Sequence, residues 1–231
     1  VRSSSTGTFQ NVTYPGAPWQ QTSIQYRRGS STSAVTYSGN DTGASWSTTK
    51  ESDLSTSTQH LSEHEMTAGL LDIVQTNRWA VKGKVIEVTY EITNTSTTVD
   101  ANDFILIHGM DVDVDYDTYY DYDTWNDTVD TNSDGTADYV KSEGYYSGWT
   151  ISYGICDKTA QEVGHSSWST SPTVALVDDA DVWGDRQMHL RHRATTITGG
   201  STIEFNFIVV FDTSPSGAES LYKTAATTVC T

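Results

Sequence analysis

The sequence predicts an all-β protein: an antiparallel β-sandwich of about ten strands, with a long acidic loop and at most one short C-terminal helix. The main observation is an alternation of apolar and polar residues with a period of two. In residues 84–93, for example, Val88 and Tyr90 face one way and the intervening polar residues face the other. Turn-forming sequences such as Gly199-Gly200 separate these segments, and only residues 216–227 have a helical pattern.

The remaining predicted strands share this alternation or are rich in β-branched and aromatic residues. They are residues 23–28, 34–37, 70–81, 103–115, 149–156, 173–177, 187–196 and 201–211. The 231 residues show no repeat of fixed period and no long linker, so we expect one domain, 1–231. Residues 1–14 alternate only weakly and are expected either to form an extended N-terminal arm or to be the first strand of the domain.

The charge balance excludes two classes of partner. Thirty acidic residues against thirteen basic ones give a net charge of −17. Nucleic acid and anionic membrane surfaces both require a basic patch, so neither is an expected partner. No run approaches the roughly 18 apolar residues of a membrane span.

Several features predict an extracellular or cell-surface protein. The chain begins with Val1 rather than Met, which indicates a processed, mature protein. Four sequons make Asn11, Asn40, Asn94 and Asn126 candidate glycosylation sites. Cys156 and Cys230 are the only cysteines, and an even pair in an exported chain predicts a disulfide, with two unpaired thiols as the alternative.

The most unusual segment is residues 111–140, which contains ten aspartates and, before Lys141, no Lys or Arg. In its first part, Val112 and Val114 continue the inward alternation of a strand. Asp111, Asp113, Asp115 and Asp117 would share the opposite face. Same-face neighbours on a strand stand about 6.8 Å apart, too far for two of them to bind one ion without bending the backbone, so another segment must complete any metal site.

A second part of this segment supplies such a site. Asp130, Asn132, Asp134 and Asp138 occupy positions 1, 3, 5 and 9 of a loop with Gly135 at position 6, and the Thr136 carbonyl is at position 7. This stretch resembles the DxNxDGxxD calcium loops of thrombospondin type 3 repeats and dockerins. The resemblance implies a bound calcium ion. Because the charge of the acidic strand is uncompensated, we further expect Asp111, Asp113 and Asp115 to contribute carboxylates to this site. Position 12 is Lys141 instead of the glutamate of an EF-hand, and a solvated acidic loop is the alternative.

The chain contains no complete catalytic constellation, so we do not expect an enzyme. His60-Leu-Ser-Glu63-His64 matches the HxxEH pattern of inverzincin metallopeptidases, but its flanks do not predict the helix that this chemistry needs, and we interpret it as a chance match. No GxSxG motif is present.

Two functions remain. The first is a structural subunit of an extracellular filament, sheath or surface layer, stabilised by calcium and assembled into homo-oligomers or homopolymers when residues 1–14 add a strand to a neighbour. The alternative is a secreted carbohydrate-binding or carbohydrate-processing module that takes a polysaccharide. It rests on aromatic residues interleaved with the aspartates. These aromatic residues are Tyr116, Tyr119, Tyr120, Tyr122, Trp125, Tyr139, Tyr145, Tyr146 and Trp149. Residues 85–115 also resemble supersandwich domains of the galactose-mutarotase type.

Overall fold

A computed structural model of the chain describes residues 20–40, 43–178 and 181–230. Within these residues it contains fifteen strands and two helices. The strands are β1 (Gln20–Arg28), β2 (Ala34–Asn40), β3 (Gly43–Ala44), β4 (Ser47–Asp53), β5 (Gln59–Ala68), β6 (Leu71–Ala80), β7 (Val85–Asn94), β8 (Ala101–Asp111), β9 (Thr124–Val129), β10 (Tyr139–Gly144), β11 (Thr150–Ile155), β12 (Gln161–Ser166), β13 (Val182–Gly184), β14 (Gln187–Ile197) and β15 (Thr202–Asp212). The helices are α1 (Tyr116–Tyr119) and α2 (Pro215–Val229). The predicted arm, residues 1–14, and the sequon at Asn11 lie outside the described residues.

The strands form two antiparallel sheets, which confirms the predicted sandwich. One sheet has six strands in the order β12-β14-β8-β1-β2-β3, and the other has nine in the order β13-β9-β10-β11-β15-β7-β6-β5-β4. The alternation in β7 is as predicted, because Val88, Tyr90 and Ile92 are buried while Glu91 is exposed. Apolar side chains from the two sheets, among them Ile24, Leu106 and Phe207, form the main core between them.

The described residues form fifteen strands instead of about ten, and the structure also differs from the prediction in its acidic segment and in one predicted strand. Residues 111–140 are not one long loop, because they contain the end of β8, helix α1 and all of β9. Residues 173–177 form no strand, and only Val177 makes a bridge, to His165. The strand prediction failed there because the Val174 carbonyl accepts a hydrogen bond from the side chain of Arg191 instead of from the backbone of a neighbouring strand.

Helix α2 covers the outer side of the nine-stranded sheet. Ser214 caps it by accepting a hydrogen bond from the Gly217 N–H (3.2 Å), and Pro215 occupies the first turn, where no N–H is required. Tyr222 packs over Gly154, and its hydroxyl donates to the Asp138 and Ile155 carbonyls. The predicted Cys156–Cys230 disulfide is present and ties the end of α2 to the end of β11. Neither helix is long and apolar enough to span a bilayer.

Candidate metal centre and aromatic surface

Three aspartates from distant parts of the sequence meet at one end of the sandwich. Asp111 is the last residue of β8 and pairs with Gln187 of β14, while Asp113 follows two residues later. Asp185 lies in the short connection between β13 and β14. One carboxylate oxygen from each of the three lies within 4.8 Å of the others, and among the described residues no other His, Cys, Asp or Glu set of this size is so close. We call Asp111, Asp113 and Asp185 the acidic cluster.

The acidic cluster carries more negative charge than the described protein atoms compensate, because Arg186 acts on Asp185 alone. Asp111 and Asp113 are each only 1% exposed. None of their four carboxylate oxygens has a hydrogen-bond partner of good geometry among the described residues, and only the Val112 N–H acts weakly on Asp111. A buried, unpaired carboxylate costs several kcal/mol, so such an arrangement requires protonation or a bound cation.

The pKa values of Asp111 and Asp113 are raised by the same burial and lack of compensating charge. Burial first, and then the neighbouring Asp113 and Asp185, raise the pKa of Asp111 to about 8. Burial, followed by repulsion from Asp185, Asp121 and Asp123, raises the pKa of Asp113 to about 7. A set of ligands that contains only carboxylate oxygens suits a hard divalent cation such as Ca²⁺ or Mg²⁺.

Asp115 was predicted as a third ligand on the same strand face, but it points elsewhere. Strand β8 ends at Asp111, and the chain then turns into α1, with the Tyr119 N–H donating to the Asp115 carbonyl (2.8 Å). The Asp115 carboxylate accepts hydrogen bonds from the N–H groups of Tyr146 (2.7 Å) and Ser147 (3.2 Å) in the turn between β10 and β11. Asp115 therefore positions that turn instead of joining the cluster. Of Asp117, only the backbone is described.

Exposed aromatic rings form a continuous surface beside the cluster. Trp125 of β9 and Trp183 of β13 are directly paired across the two strands, with ring centroids 5.0 Å apart. Trp183 contacts Tyr145 (5.7 Å), Tyr145 contacts Tyr146 (5.0 Å), and Tyr146 stacks on Tyr119 of α1 (4.9 Å). All five rings are exposed. We call them the aromatic ridge.

The ridge and the acidic cluster are joined through Asp185. Trp183 lies two residues before Asp185 in the sequence, and the indole N–H of the exposed Trp168 donates to Asp185 Oδ1 (3.3 Å). Asp115 provides a second link, since it holds the turn that carries Tyr145 and Tyr146. Gly144 permits this contact, because a Cβ atom at that position would lie 2.6 Å from Asp115 Oδ1.

The predicted calcium loop, residues 130–138, has the internal hydrogen bonds of its motif. Asp130 accepts from the N–H groups of Asn132 (3.2 Å) and Gly135 (2.7 Å), and Asn132 accepts from the Asp134 N–H (3.1 Å). The ammonium of Lys158 contacts the three other oxygens that the motif would offer to calcium. They are Asp134 Oδ2 (2.8 Å), the Thr136 carbonyl (3.1 Å) and Asp138 Oδ1 (2.7 Å).

The two groups of aspartates lie at opposite ends of β9. Residues 121 and 123 and Gly184 adjoin Thr124 at the start of β9, whereas loop 130–138 begins just after its last residue, Val129. Six residues of strand span about 17 Å. The prediction that Asp111, Asp113 and Asp115 complete the site of the loop is therefore wrong.

Two predicted glycosylation sites are also wrong. Asn94 is fully buried, and its Nδ2 donates to the carbonyls of Val99 and Ile197 (both 2.9 Å). Asn126 is fully buried too, and its Nδ2 donates to three carbonyls of β9 and β13. A glycan on either nitrogen would remove these bonds, so the folded domain has no room for one. The backbone of Asn40 ends β2, and its side chain lies outside the described part.

The HxxEH match belongs to strand β5, where His60 stacks on Trp79 (5.0 Å). Successive residues of a strand face opposite sides, so the motif does not place its ligands as a metallopeptidase helix does. The sequence interpretation missed Asp185 and Trp183, which lie 45 and 43 residues beyond Val140, the end of the acidic segment. Spacing along the chain gives no signal for contacts that depend on the pairing of β13 with β9.

No protein-family model and no curated protein matches the chain. Among solved structures, the GH36 alpha-galactosidase AgaB from Geobacillus stearothermophilus matches 96% of this chain and 32% of its own, with a TM-score of 0.49 and 8% identity. The heparan sulfate lyase HepC from Pedobacter heparinus matches 74% of this chain and 22% of its own (TM-score 0.45, 10% identity). A galactose mutarotase related enzyme from Lactobacillus acidophilus matches 83% and 79% (TM-score 0.36, 9% identity). The chain thus spans a fifth to a third of the first two proteins, and similarity at this level indicates neither activity nor ligand.

Proposed function

We propose that this protein is an extracellular carbohydrate-binding β-sandwich module. The observation that carries the proposal is the aromatic ridge: five exposed Tyr and Trp rings, each in contact with the next, ending beside a cluster of carboxylates. Aromatic faces stack on the apolar faces of sugar rings, and neighbouring carboxylates accept hydrogen bonds from sugar hydroxyls.

The composition of the ridge favours a saccharide over a protein partner. The core of a protein interface contains few charged residues and mixes aromatic side chains with Met and aliphatic ones. Among the described residues, the only exposed large aliphatic side chains are Leu54 and Val81, in the turns that flank β5 and β6, away from the ridge. The ridge instead lies beside the carboxylates of the acidic cluster, which favours a partner that presents hydroxyl donors next to an apolar face.

We further propose that the acidic cluster binds calcium. Its ligands are all carboxylate oxygens, and burial of Asp111 and Asp113 leaves them without a hydrogen-bond donor among the described residues. Weak calcium sites suit extracellular modules, where the ion is abundant, and the Cys156–Cys230 disulfide supports an oxidising compartment. Assembly into a filament rests on residues 1–14, outside the described part, and stays a prediction.

Affinity electrophoresis against a panel of soluble neutral and acidic polysaccharides tests the function. We expect retardation by at least one polysaccharide, and its loss in the double variant Trp125→Ala/Trp183→Ala. The matched control is Trp79→Ala, a tryptophan of β6, which lies five strands from β9 in the same sheet, or about 24 Å. Absence of retardation by the whole panel, or equal loss in the control, contradicts the proposal.

A further inference from the structure

We propose that the cation of the acidic cluster is itself part of the saccharide site and binds two adjacent hydroxyls of a neutral sugar. This inference rests on the proposed function and adds a ligand class and a second point of attachment. It means that the cation has a direct role in recognition, besides neutralising Asp111 and Asp113.

The number of protein ligands leaves room for sugar oxygens. Calcium takes six to eight oxygen ligands, and the cluster offers one oxygen each from three carboxylates within mutual reach. Even if one or two of the carboxylates bind through both oxygens, positions remain for other ligands. Asp111 and Asp113 are buried whereas Asp185 is exposed, so the open positions face solvent on the side of Asp185.

That side is also the side of the indole rings. Asp185 follows Trp183 of the ridge by two residues and accepts a hydrogen bond from the exposed Trp168. A sugar ring stacked on Trp183 therefore has its edge, where the hydroxyls lie, close to the cation. Stacking and metal coordination would act on the same sugar unit, and each reduces the entropy cost of the other.

The local charge selects a neutral ligand. Asp121 and Asp123 act on the cluster from nearby, so five carboxylates carry a formal charge of −5. Calcium reduces this to −3, and Arg186 beside Asp185 reduces it to −2. The remaining negative charge repels uronates, sulfated sugars and phosphates, whereas a pair of uncharged hydroxyls replaces two water molecules without a change in charge.

Terbium(III), which replaces calcium and is sensitised by nearby indoles, provides a direct test. Its luminescence lifetimes in H₂O and D₂O count the water molecules on the bound ion. We expect a saturating neutral polysaccharide from the panel to lower this count by about two. We also expect chelation to weaken polysaccharide binding, while alginate and other acidic polymers do not bind.

Two variants test whether saccharide binding depends on the cation or only on an intact fold. Asp185→Asn should weaken terbium binding by roughly tenfold or more and weaken saccharide binding with it. Asp181→Asn changes an exposed aspartate at the other end of β13, at a positive φ of 55° that Asn tolerates, and should change neither. Polysaccharide binding with an unchanged water count overturns this inference but leaves the proposed carbohydrate binding and calcium site in place. Polysaccharide binding without any terbium binding overturns both this inference and the proposed calcium site, and leaves the carbohydrate binding. If no polysaccharide binds, the proposed function itself fails.

Discussion

Two groups of aspartates lie at the two ends of β9 and differ in how their carboxylate oxygens are supplied with hydrogen-bond donors. In loop 130–138 the acceptors are satisfied by other protein groups, namely backbone N–H groups of the loop and the Lys158 ammonium. In the acidic cluster, Asp111 and Asp113 are more deeply buried yet have no donor among the described residues. The group that most resembles a calcium motif in sequence is therefore the one with less need of a cation.

The pKa values of the two groups differ accordingly. The bond from Lys158, and then the Thr136 N–H, lower the pKa of Asp134 below its usual value. Burial raises the pKa of Asp111 to about 8. A motif reports the spacing of oxygen atoms, whereas the need for a metal depends on whether other donors reach them. The predictions below separate the two regions.

The disulfide should have the largest effect, and it belongs to the region of the loop, because Cys156 lies two residues before Lys158. Replacing both cysteines (Cys156→Ser/Cys230→Ser) removes a cross-link between residues 74 positions apart. The chain-entropy model gives a loss of about 4 kcal/mol in the free energy of unfolding. Urea denaturation measures it. The stabilisation by calcium should be unchanged. If the variant loses the stabilisation by calcium as well as that by the disulfide, the two regions are coupled.

Calcium should have the next largest effect, and it should act at the acidic cluster. At a hundred times its dissociation constant, calcium adds about 2.7 kcal/mol to the free energy of unfolding. For a chain of this size that raises the Tm by roughly 5–10 °C relative to EDTA. Differential scanning calorimetry should show that Asp111→Asn/Asp113→Asn abolishes this rise and that Asp130→Asn/Asp134→Asn preserves it. The reverse pattern would place the calcium in the loop, as the spacing of its residues predicted.

The sequence predicted the fold better than the site, for physical reasons. Alternation identifies strands such as β7 and β15 because one face of each is apolar and buried. It fails for most of β5, because the side chains from His60 to Glu65 are half-buried on both faces and only Leu61 among them is apolar. Asp111 and Asp113 were found because they continue a strand. Asp115 was misplaced because α1 begins after it, and Asp185 was missed because only the pairing of β13 with β9 and of β14 with β8 brings it near.

A smaller effect concerns His192 of β14, whose pH dependence has the same sign as that of a paired carboxylate and the opposite sign from that of the buried Asp111 and Asp113, whose pKa values are raised. Burial lowers the pKa of His192 to about 4, although Asp157 acts in the other direction. The unfolded chain takes up a proton below about pH 6.5 and the folded protein does not, so stability is lost as the pH falls towards 4. Between pH 7 and pH 5 we expect a loss of about 2 kcal/mol from this group. Urea denaturation in saturating calcium should show that His192→Leu reduces the pH dependence by that amount, and an unchanged slope would contradict the assignment.

Lys158 gives the smallest expected change and the sharpest comparison. Lys158→Met keeps the length of the side chain but removes the cation from Asp134, Thr136 and Asp138, so Asp138, which is largely buried, loses its ion pair. Because Lys158 and Asp134 are partly exposed, we expect a loss of only about 1–2 kcal/mol in the absence of calcium. The oxygens that held the ammonium then become available, so the variant should bind one more calcium ion than the wild type in isothermal titration calorimetry.

The matched control Lys223→Met breaks an exposed pair with Glu219 on α2 and should cost about 0.3–0.5 kcal/mol without adding a site. If Lys158→Met binds no additional calcium, the oxygens of the loop are not arranged for a metal, and the loop then differs from the acidic cluster in geometry as well as in charge.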